Sequence, residues 1–194
     1  AKTWLLSKNM NEFRGPVNPS TNHECGLLTV GFDDTPQIMM SYNPTYYADF
    51  FEEFGLKKVK DLITYQLGMN FIMPEKILRI ANRLEKSNRI SYRPFNMKDF
   101  NKDVNLILKI YNDAWEKNWG FVPMSEDEFY HSVKQLKPII NPRLIQFVEV
   151  AGSAVGFAIA LPDYNQIFKT LPSGNLFPFG FIKMKLLKKN ITRC

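Results

Sequence analysis

The chain changes from a strand pattern to a helix pattern within ISYRPFNMKDFNKDVNLILKIYNDAWEKN, residues Ile90–Asn118. In ISYRPF, residues 90–95, successive side chains alternate between two faces, which predicts a strand. From Lys98 to Asn118, apolar residues recur at three- and four-residue spacing, which predicts the longest helix of the chain. The apolar stripe of this helix is formed by Phe100, Val104, Leu108, Tyr111 and Trp115. We expect this stripe, Trp115 included, to face the core.

Three further elements are predicted after this helix. SEDEF, residues 125–129, opens a second helix through a capping box, in which Ser125 precedes Glu128 by three positions. RLIQFVEV and AVGFAIAL, residues 143–150 and 154–161, predict a hairpin whose turn is residues 151–153. The second half therefore has the order strand, helix, helix, strand, strand.

The first half reads as strand, helix, strand. EFRGPV, residues 12–17, predicts a short strand after a helix end in KTWLLSKNMN. NPTYYADFFEEFG predicts a helix with Asn43 as its cap, Pro44 in its first turn and Gly55 at its end. KVKDLITYQLG, residues 58–68, predicts one or two strands.

An amphipathic helix, PEKILRIANRLEKSN, lies between the two halves and places Ile77, Ile80, Ala81 and Leu84 on one face. We interpret it as a connector, which divides the chain into residues 1–72, a connecting helix at 73–87, and residues 88–194. Mixed runs of strands and helices predict an α+β, or mixed α/β, fold class.

Charge is distributed unevenly along the 194 residues, whose net charge is +6. Residues 1–72 carry six Lys and Arg against eight Asp and Glu, whereas residues 73–194 carry nineteen against eleven. Five of those bases lie in KMKLLKKNITR, residues 183–193, without an acid. A nucleic-acid surface usually shows a basic stripe with interleaved aromatics. The pattern here favours a solvated tail, and we expect no nucleic-acid partner.

The rest of the composition bears on where the chain resides. Two cysteines far apart, Cys25 and Cys194, make a disulfide framework improbable and predict a reducing, cytoplasmic location. No apolar run approaches the roughly 18 residues that span a bilayer. LFPFGFIKMKLLKK, residues 176–189, mixes apolar and basic residues as a membrane-surface segment does, but Pro178 and Gly180 interrupt its helical face. We expect no membrane partner.

A polar loop, RGPVNPSTNHECGLL, spans Arg14–Leu28 and contains the one Cys with a His near it in sequence. Catalytic Cys and His side chains usually come from separate elements, so His23 and Cys25 fit a nucleophile poorly. A single Cys and a single His without a second pair also predict no metal site. The residue types favour a turn in which Asn18, Ser20, Thr21 and Asn22 bind the local backbone, and a ligand-binding loop is the alternative.

Several phrases of the chain carry a family resemblance: RGPVNPSTNHECGLL, MMSYNPTYY, YNDAWEKNWGFVPMSEDEF and ALPDYNQ. Together they resemble a bacterial family of tandem GNAT-like N-acetyltransferases whose substrates are largely unassigned. The resemblance covers nearly the whole chain. It implies the GNAT fold, a central, mostly antiparallel sheet flanked by helices, with the end of one domain at residues 1–72 and the beginning of the next at residues 88–194.

The resemblance implies acetyl-CoA or another acyl-CoA as cofactor, without a metal, and a small-molecule or peptide amine as acceptor. The superfamily holds the CoA pyrophosphate in an Arg/Gln-x-x-Gly-x-Gly/Ala turn, and the chain contains no such motif. We therefore expect a fragment of a longer acyltransferase, inactive alone, with both half-sheets incomplete. Because exposed sheet edges invite strand pairing, a homodimer is one expected outcome.

The resemblance also implies where substrates would bind, although it identifies no catalytic residue. Many GNAT enzymes use a tyrosine as general acid at the position of Phe51, so Tyr47, one turn earlier, is a substitute or a packing residue. The lack of a proton on Phe51 favours an alternative function, a non-catalytic binding or interaction module. The other candidates, each of which is also compatible with a purely structural or solvated role, are Asn18, Ser20, Asn22, Trp119, Phe121, Asp163 and Asn165.

Overall fold

In a computed structural model of the chain, the described residues are 2–86, 89–171, 177 and 179–194. They form two compact units, one comprising the chain up to Leu62 together with Asn118–Val122, the other Ile63–Lys117 together with Pro123–Cys194. Within the described ranges, no helix is both long and apolar enough to cross a bilayer. Four residues from the predicted segments, Ser87, Asn88, Leu176 and Pro178, lie outside the described residues.

The first unit has little regular structure. Its elements are α1 at Lys2–Ser7, β1 at Val17–Asn18, β2 at Glu24–Cys25 and α2 at Tyr47–Glu53. β1 and β2 form a two-residue antiparallel ladder. The helix predicted at the beginning of the chain is thus present, whereas the strand predicted at residues 12–17 forms a ladder only from Val17 onward.

The side chain of Asn43 has a different role from the predicted helix cap. Its Oδ1 accepts a hydrogen bond of 2.8 Å from the N–H of Leu28, and its Nδ2 donates to the Leu28 carbonyl at 3.2 Å. α2 accordingly begins at Tyr47 rather than at Pro44. Gly55 ends the helical segment as predicted, with φ at +85° and its N–H donating to the Glu52 carbonyl.

The strands predicted at residues 58–68 are not formed: the described residues from 57 to 73 contain neither a strand nor a helix. The apolar side chains of this stretch are exposed, among them Val59, Ile63 and Tyr65. A strand needs a partner that takes up its backbone N–H and C=O groups. The alternating sequence pattern is present, but no such partner is paired with it.

The second unit contains the larger elements. These are α3 at Glu75–Lys86, β3 at Ile90–Pro94, α4 at Phe100–Trp115, α5 at Glu126–Leu136, β4 at Ile145–Val150, β5 at Ser153–Ile159, α6 at Asn165–Phe168 and α7 at Phe179–Leu187. The three strands form an antiparallel sheet in the order β3-β4-β5. A mixed α+β class with an antiparallel sheet flanked by helices is therefore confirmed.

Local sequence signals set two boundaries in this unit. The Ser125 hydroxyl oxygen accepts from the N–H of Glu128 at 3.3 Å, which is the predicted cap of α5. The β4–β5 hairpin turns at Ala151 and Gly152, whose φ values of 50° and 79° are those of a tight type I′ turn. Both boundaries agree with the sequence-based expectation.

The core lies between the sheet and the first turns of α4. It is formed by Phe95, Val104, Ile107, Ile145 and Phe147. Phe147 is completely buried at the centre of the middle strand. The expectation that Trp115 belongs to this core is wrong, since its side chain is 48% exposed. Trp115 is the last residue of α4, and its ring packs against Tyr111, 5.8 Å away between centroids.

Candidate functional site

The tip of the polar loop is held by its own side chains. The Ser20 hydroxyl oxygen accepts a hydrogen bond of 3.2 Å from the N–H of Asn22. The Ser20 carbonyl accepts a second one, also of 3.2 Å, from the N–H of His23. Such side-chain-to-backbone bonds favour tight turns. The local-turn interpretation is confirmed for Ser20.

The next two side chains reach a distant part of the same unit, the segment Asn118–Val122. The Thr21 hydroxyl donates to the Gly120 carbonyl at 2.9 Å, and the Asn22 amide Nδ2 donates to the Val122 carbonyl at 2.8 Å. The structure therefore brings the polar loop together with the segment that carries Trp119 and Phe121, two of the predicted site residues.

Gly120 allows this close approach. Its φ is +71°, a conformation that residues with a side chain rarely adopt. A Cβ at this position would also lie 3.4 Å from the methyl carbon of Thr21. The positive φ therefore favours a glycine where the Trp119 segment turns against the loop.

Two cations flank the indole ring of Trp119. The guanidinium carbon of Arg14 and the ammonium nitrogen of Lys60 each lie 5.5 Å from the ring centroid. Both distances are within the range of a cation–π interaction. The Arg14 guanidinium is also paired with Glu12, at 2.9 Å. Trp119 remains 41% exposed, so a ligand can reach the indole.

The far end of the loop is fixed to the segment before α2. Asn43, which is buried, holds both backbone groups of Leu28 as described above. The Ser41 hydroxyl donates to the Cys25 carbonyl at 3.1 Å. These contacts anchor the C-terminal end of the loop, whereas Thr21 and Asn22 at its tip bind the Trp119 segment.

The remaining first-unit candidates have individual settings. Asn18 is exposed and pairs with Glu24 in the β1–β2 ladder. Phe121 is partly buried within the same segment as Trp119. Tyr47 packs in an aromatic cluster on α2 with Tyr46 and Phe50, at centroid distances of 5.3 and 6.4 Å. A substrate-binding role for these three residues stays a prediction.

Asp163 and Asn165 lie in the second unit, where they join two distant parts of the chain. The Asp163 carboxylate is 1% exposed and accepts from Arg193, with N–O distances of 3.1 and 3.2 Å. It also accepts from the N–H of Asn165 at 3.2 Å, at the beginning of α6. These contacts hold residues near 193 against α6. A substrate role for Asp163 and Asn165 stays a prediction.

An ion-pair cluster that the sequence pattern did not predict lies in the second unit. The Arg93 guanidinium donates two hydrogen bonds of 2.8 Å to the two oxygens of Asp103 and one of 2.7 Å to Glu149. Its carbon atom also lies 4.3 Å from the ring centroid of Phe147. Two features of the sequence could have indicated this pair. Arg93 lies on the inward face of β3, and Asp103 lies beside the apolar stripe residue Val104 on α4.

These contacts shift both ionisations. Burial by itself would raise the pKa of Asp103, but hydrogen bonds from Arg93 and from the N–H of Asn96, with the charge of Arg93, hold that pKa below its usual value. The pKa of Arg93 is raised above its usual value, and the hydrogen bond that Arg93 donates to Asp103 makes the largest contribution to this shift. The cluster borders an open cleft of about 730 Å³ that Lys102 and Lys109 also line. Because Arg93, Asp103 and Glu149 form ion pairs with one another, we assign this cluster a stabilising role.

Among the described residues, no three His, Cys, Asp or Glu side chains are grouped so that they could hold a metal ion. No catalytic base or nucleophile is assigned either. The arrangement around Trp119 is the candidate site: it combines an accessible aromatic face, two adjacent positive charges and a loop held by side-chain hydrogen bonds.

The chain is similar to two named bacterial proteins. It is 36% identical over 184 residues to a protein named bacterial ceramide synthase from Caulobacter vibrioides (strain NA1000 / CB15N), a match that covers 95% of this chain and 47% of that protein. It is 31% identical over 185 residues to Protein YghO from Escherichia coli (strain K12), with the same two coverages. The chain thus spans about half the length of these relatives. No family model and no solved structure matches it.

Proposed function

We propose that the chain is part of a cytoplasmic acyl-CoA-dependent N-acyltransferase with a GNAT-like fold, and that it supplies acceptor-side surface rather than the cofactor loop. By itself it has no or negligible transfer activity, because it lacks the glycine-rich turn whose N–H groups would bind the CoA pyrophosphate. The resemblance of RGPVNPSTNHECGLL and YNDAWEKNWGFVPMSEDEF to tandem GNAT-like proteins supports this assignment.

The reaction transfers an acyl group from sulfur to nitrogen. The neutral amine of the acceptor attacks the thioester carbonyl carbon, the C–N bond forms and the C–S bond breaks. The amine loses a proton to a base, and the CoA thiolate leaves and takes up a proton. A backbone N–H stabilises the oxyanion that forms on the way. No covalent intermediate with the protein is needed.

The observation that carries the proposal is the position of Arg14 and Lys60 at 5.5 Å from the exposed Trp119 ring. Nearby positive charges disfavour the ammonium form of an amine and so lower its pKa. An acceptor whose apolar part rests on the indole would therefore hold its amine in the neutral, nucleophilic form. The hydrogen bonds from Thr21 and Asn22 keep the Trp119 segment in place for this contact.

The name of the Caulobacter relative supports the same class of chemistry. That protein is named for the synthesis of ceramide. A ceramide is an amide between a fatty acid and a long-chain amino alcohol, so its synthesis from an activated acyl group is an N-acyl transfer. We propose a long-chain amino alcohol as the acceptor for the protein to which this chain contributes.

The test uses a chimera in which this chain replaces the matched segment of the Caulobacter protein. We expect amide formation from a long-chain acyl-CoA and a long-chain amino alcohol, and a loss of at least about tenfold for Trp119→Ala. Trp4→Ala, at another exposed tryptophan of the first unit, is the matched control and should stay within about twofold. A chimera that is folded by circular dichroism but inactive, or a fully active Trp119→Ala variant, would contradict the proposal.

A second candidate is a non-catalytic binding module on the same scaffold. The observation that favours it is Phe51, which occupies the position of the family's tyrosine acid and is partly buried on α2. In this case the chimera would bind a long-chain amine, detected by quenching of Trp119 fluorescence, without forming the amide. The two readouts of one chimera therefore separate the candidates.

A further inference from the structure

The stretch Met69–Lys86 exposes two kinds of side chain together. It begins with a turn, MNFIM at residues 69–73, whose four apolar side chains are all exposed. The amphipathic helix α3 follows directly. Ile77 and Ile80 of this helix are 50% and 51% exposed. Soluble proteins rarely expose this much neighbouring apolar surface without a partner for it.

The residues of α3 are sorted by chemistry around the helix. At 3.6 residues per turn, four of its five apolar side chains fall within an arc of about 100°, and its basic side chains fall within a separate arc of about 80°. The fifth apolar residue, Leu78, lies about 60° outside the apolar arc. The apolar arc consists of Ile77, Ile80, Ala81 and Leu84. The basic arc consists of Lys76, Arg79, Arg83 and Lys86. The two acids, Glu75 and Glu85, lie outside both arcs.

The bases of this arc are available to an external partner. Among the described residues, Lys76, Arg79 and Arg83 form no ion pair within the chain. An apolar arc beside a basic arc is the pattern of a helix that lies in a membrane interface. Its apolar side enters the acyl boundary while the bases meet anionic headgroups.

We propose that the turn at residues 69–73 and α3 bind peripherally to an anionic lipid surface. Charge complementarity selects this partner. A second copy of the chain, paired through α3, would bring two basic arcs together, whereas anionic headgroups attract each base near the surface. This proposal departs from the expectation of no membrane partner, which rested on the lack of a spanning run and on the interruption of residues 176–189 by Pro178 and Gly180. An interfacial helix needs no spanning run, and α3 lies outside residues 176–189. It does not depend on the proposed acyl transfer.

The helix α7 also exposes apolar side chains and carries bases, but it does not separate them onto two faces. Phe179, Phe181 and Ile182 are exposed on it, and residues 179–194 carry five bases and no acid. Lys183 and Lys185 belong to this set. An anionic interface is therefore a partner that suits the composition of a second helix as well.

The experiment measures binding of the chain to vesicles by co-sedimentation. The vesicles are phosphatidylcholine alone, or phosphatidylcholine with about 30% phosphatidylglycerol. We expect at least about tenfold tighter binding to the anionic vesicles, weakened when salt rises from about 0.1 to 0.5 M. Ile77→Asp with Ile80→Asp should weaken binding at least about tenfold, and Arg79→Gln with Arg83→Gln by about fivefold or more.

Val30→Asp is the matched control, because Val30 is an exposed apolar residue of the first unit, and its binding should equal that of the unsubstituted chain. Circular dichroism of each variant verifies folding. Equal binding to neutral and anionic vesicles, or unchanged binding of the Ile77/Ile80 variant, would overturn the proposal. So would a dimer in sedimentation velocity that the Ile77/Ile80 substitutions dissociate while vesicle binding is absent, since a second copy would then cover α3.

Discussion

The side-chain amide of Asn22 donates a hydrogen bond of 2.8 Å to the carbonyl of Val122, 100 residues further along the chain. With the parallel bond from Thr21 to Gly120, it ties the polar loop to the segment that presents Trp119. The polar loop forms only a two-residue strand ladder, and the side chains of Thr21 and Asn22 hold it against the Trp119 segment.

Asn22→Ala should loosen the Trp119 segment, since it removes a hydrogen bond worth about 1 kcal/mol. The measurement is fluorescence of a variant in which Trp4 and Trp115 are replaced by Phe, so that Trp119 alone reports. We expect a red-shifted emission and stronger acrylamide quenching than in the parent. Asn18→Ala is the control for a general loss of loop order, because Asn18 is an exposed residue of the β1–β2 ladder. An Asn22→Ala spectrum equal to that of the parent would contradict the hydrogen bond from Asn22 to Val122.

Asp103→Asn should lower the free energy of unfolding by about 1 to 3 kcal/mol, because it removes the charge from two of the hydrogen bonds that Arg93 donates and leaves Arg93 paired with Glu149 alone. Urea denaturation followed by circular dichroism measures this. The control is Asp113→Asn, which breaks the exposed pair with Lys109 and should cost less than about 0.5 kcal/mol. Comparable losses in the two variants would show that the Arg93–Asp103 pair contributes no more than a surface pair.

The same pair predicts a dependence of stability on acid pH. The pKa of Asp103 is lower in the folded chain than in the unfolded chain, whose value is about 3.9. The folded state therefore binds the proton less readily, and the stabilisation is complete above that value. It is lost as the pH falls through the lowered pKa. Unfolding measured from about pH 6 down to pH 2 should show a steeper decline for the parent than for Asp103→Asn.

Iodoacetamide at neutral pH should modify Cys194 at least about tenfold faster than Cys25. Cys194 is exposed, whereas Cys25 is partly buried in the β1–β2 ladder. Mass spectrometry of tryptic peptides over time gives both rates, and Cys25→Ala should leave amide formation by the chimera nearly intact. Rapid labelling of Cys25 together with an inactive Cys25→Ala chimera would instead identify a nucleophile.

Calorimetry of the chain with acetyl-CoA should detect no binding in the micromolar range. Pyrophosphate recognition needs a run of free backbone N–H groups at a helix start, and the sequence contains no glycine-rich turn that supplies them. The chimera is the positive control. Micromolar binding to the isolated chain would reveal a cofactor site formed by other residues.

Local sequence signals predicted the elements that depend on local contacts. The alternation in Ile90–Pro94, the periodicity of Phe100–Trp115 and the Ser125 cap each describe interactions within a few residues, and the structure agrees with them. The core position expected for Trp115 failed because periodicity says which side chains share a face, not how far along a helix its neighbour extends.

Features that depend on distant partners were out of reach of the same reasoning. Asn43 has the residue type and position of a cap, yet its amide binds Leu28, 15 residues earlier. The pattern at residues 58–68 is that of a strand, but pairing requires a neighbour that no local signal specifies. Likewise, nothing in the spacing of Arg14 and Lys60 indicates that both would meet the ring of Trp119.

The first unit is discontinuous in sequence, since Asn118–Val122 returns to it from between α4 and α5. A single cut in the gene can therefore not separate the units intact. A truncation after Leu62 would leave Thr21 and Asn22 without the carbonyls they bind. A chain that begins at Ile63 would still contain Trp119 but would lack the polar loop that holds its segment. In evolutionary terms, recombination that exchanged one unit alone would need a crossover at each of the three boundaries, 62/63, 117/118 and 122/123, so the two units are expected to have been inherited together.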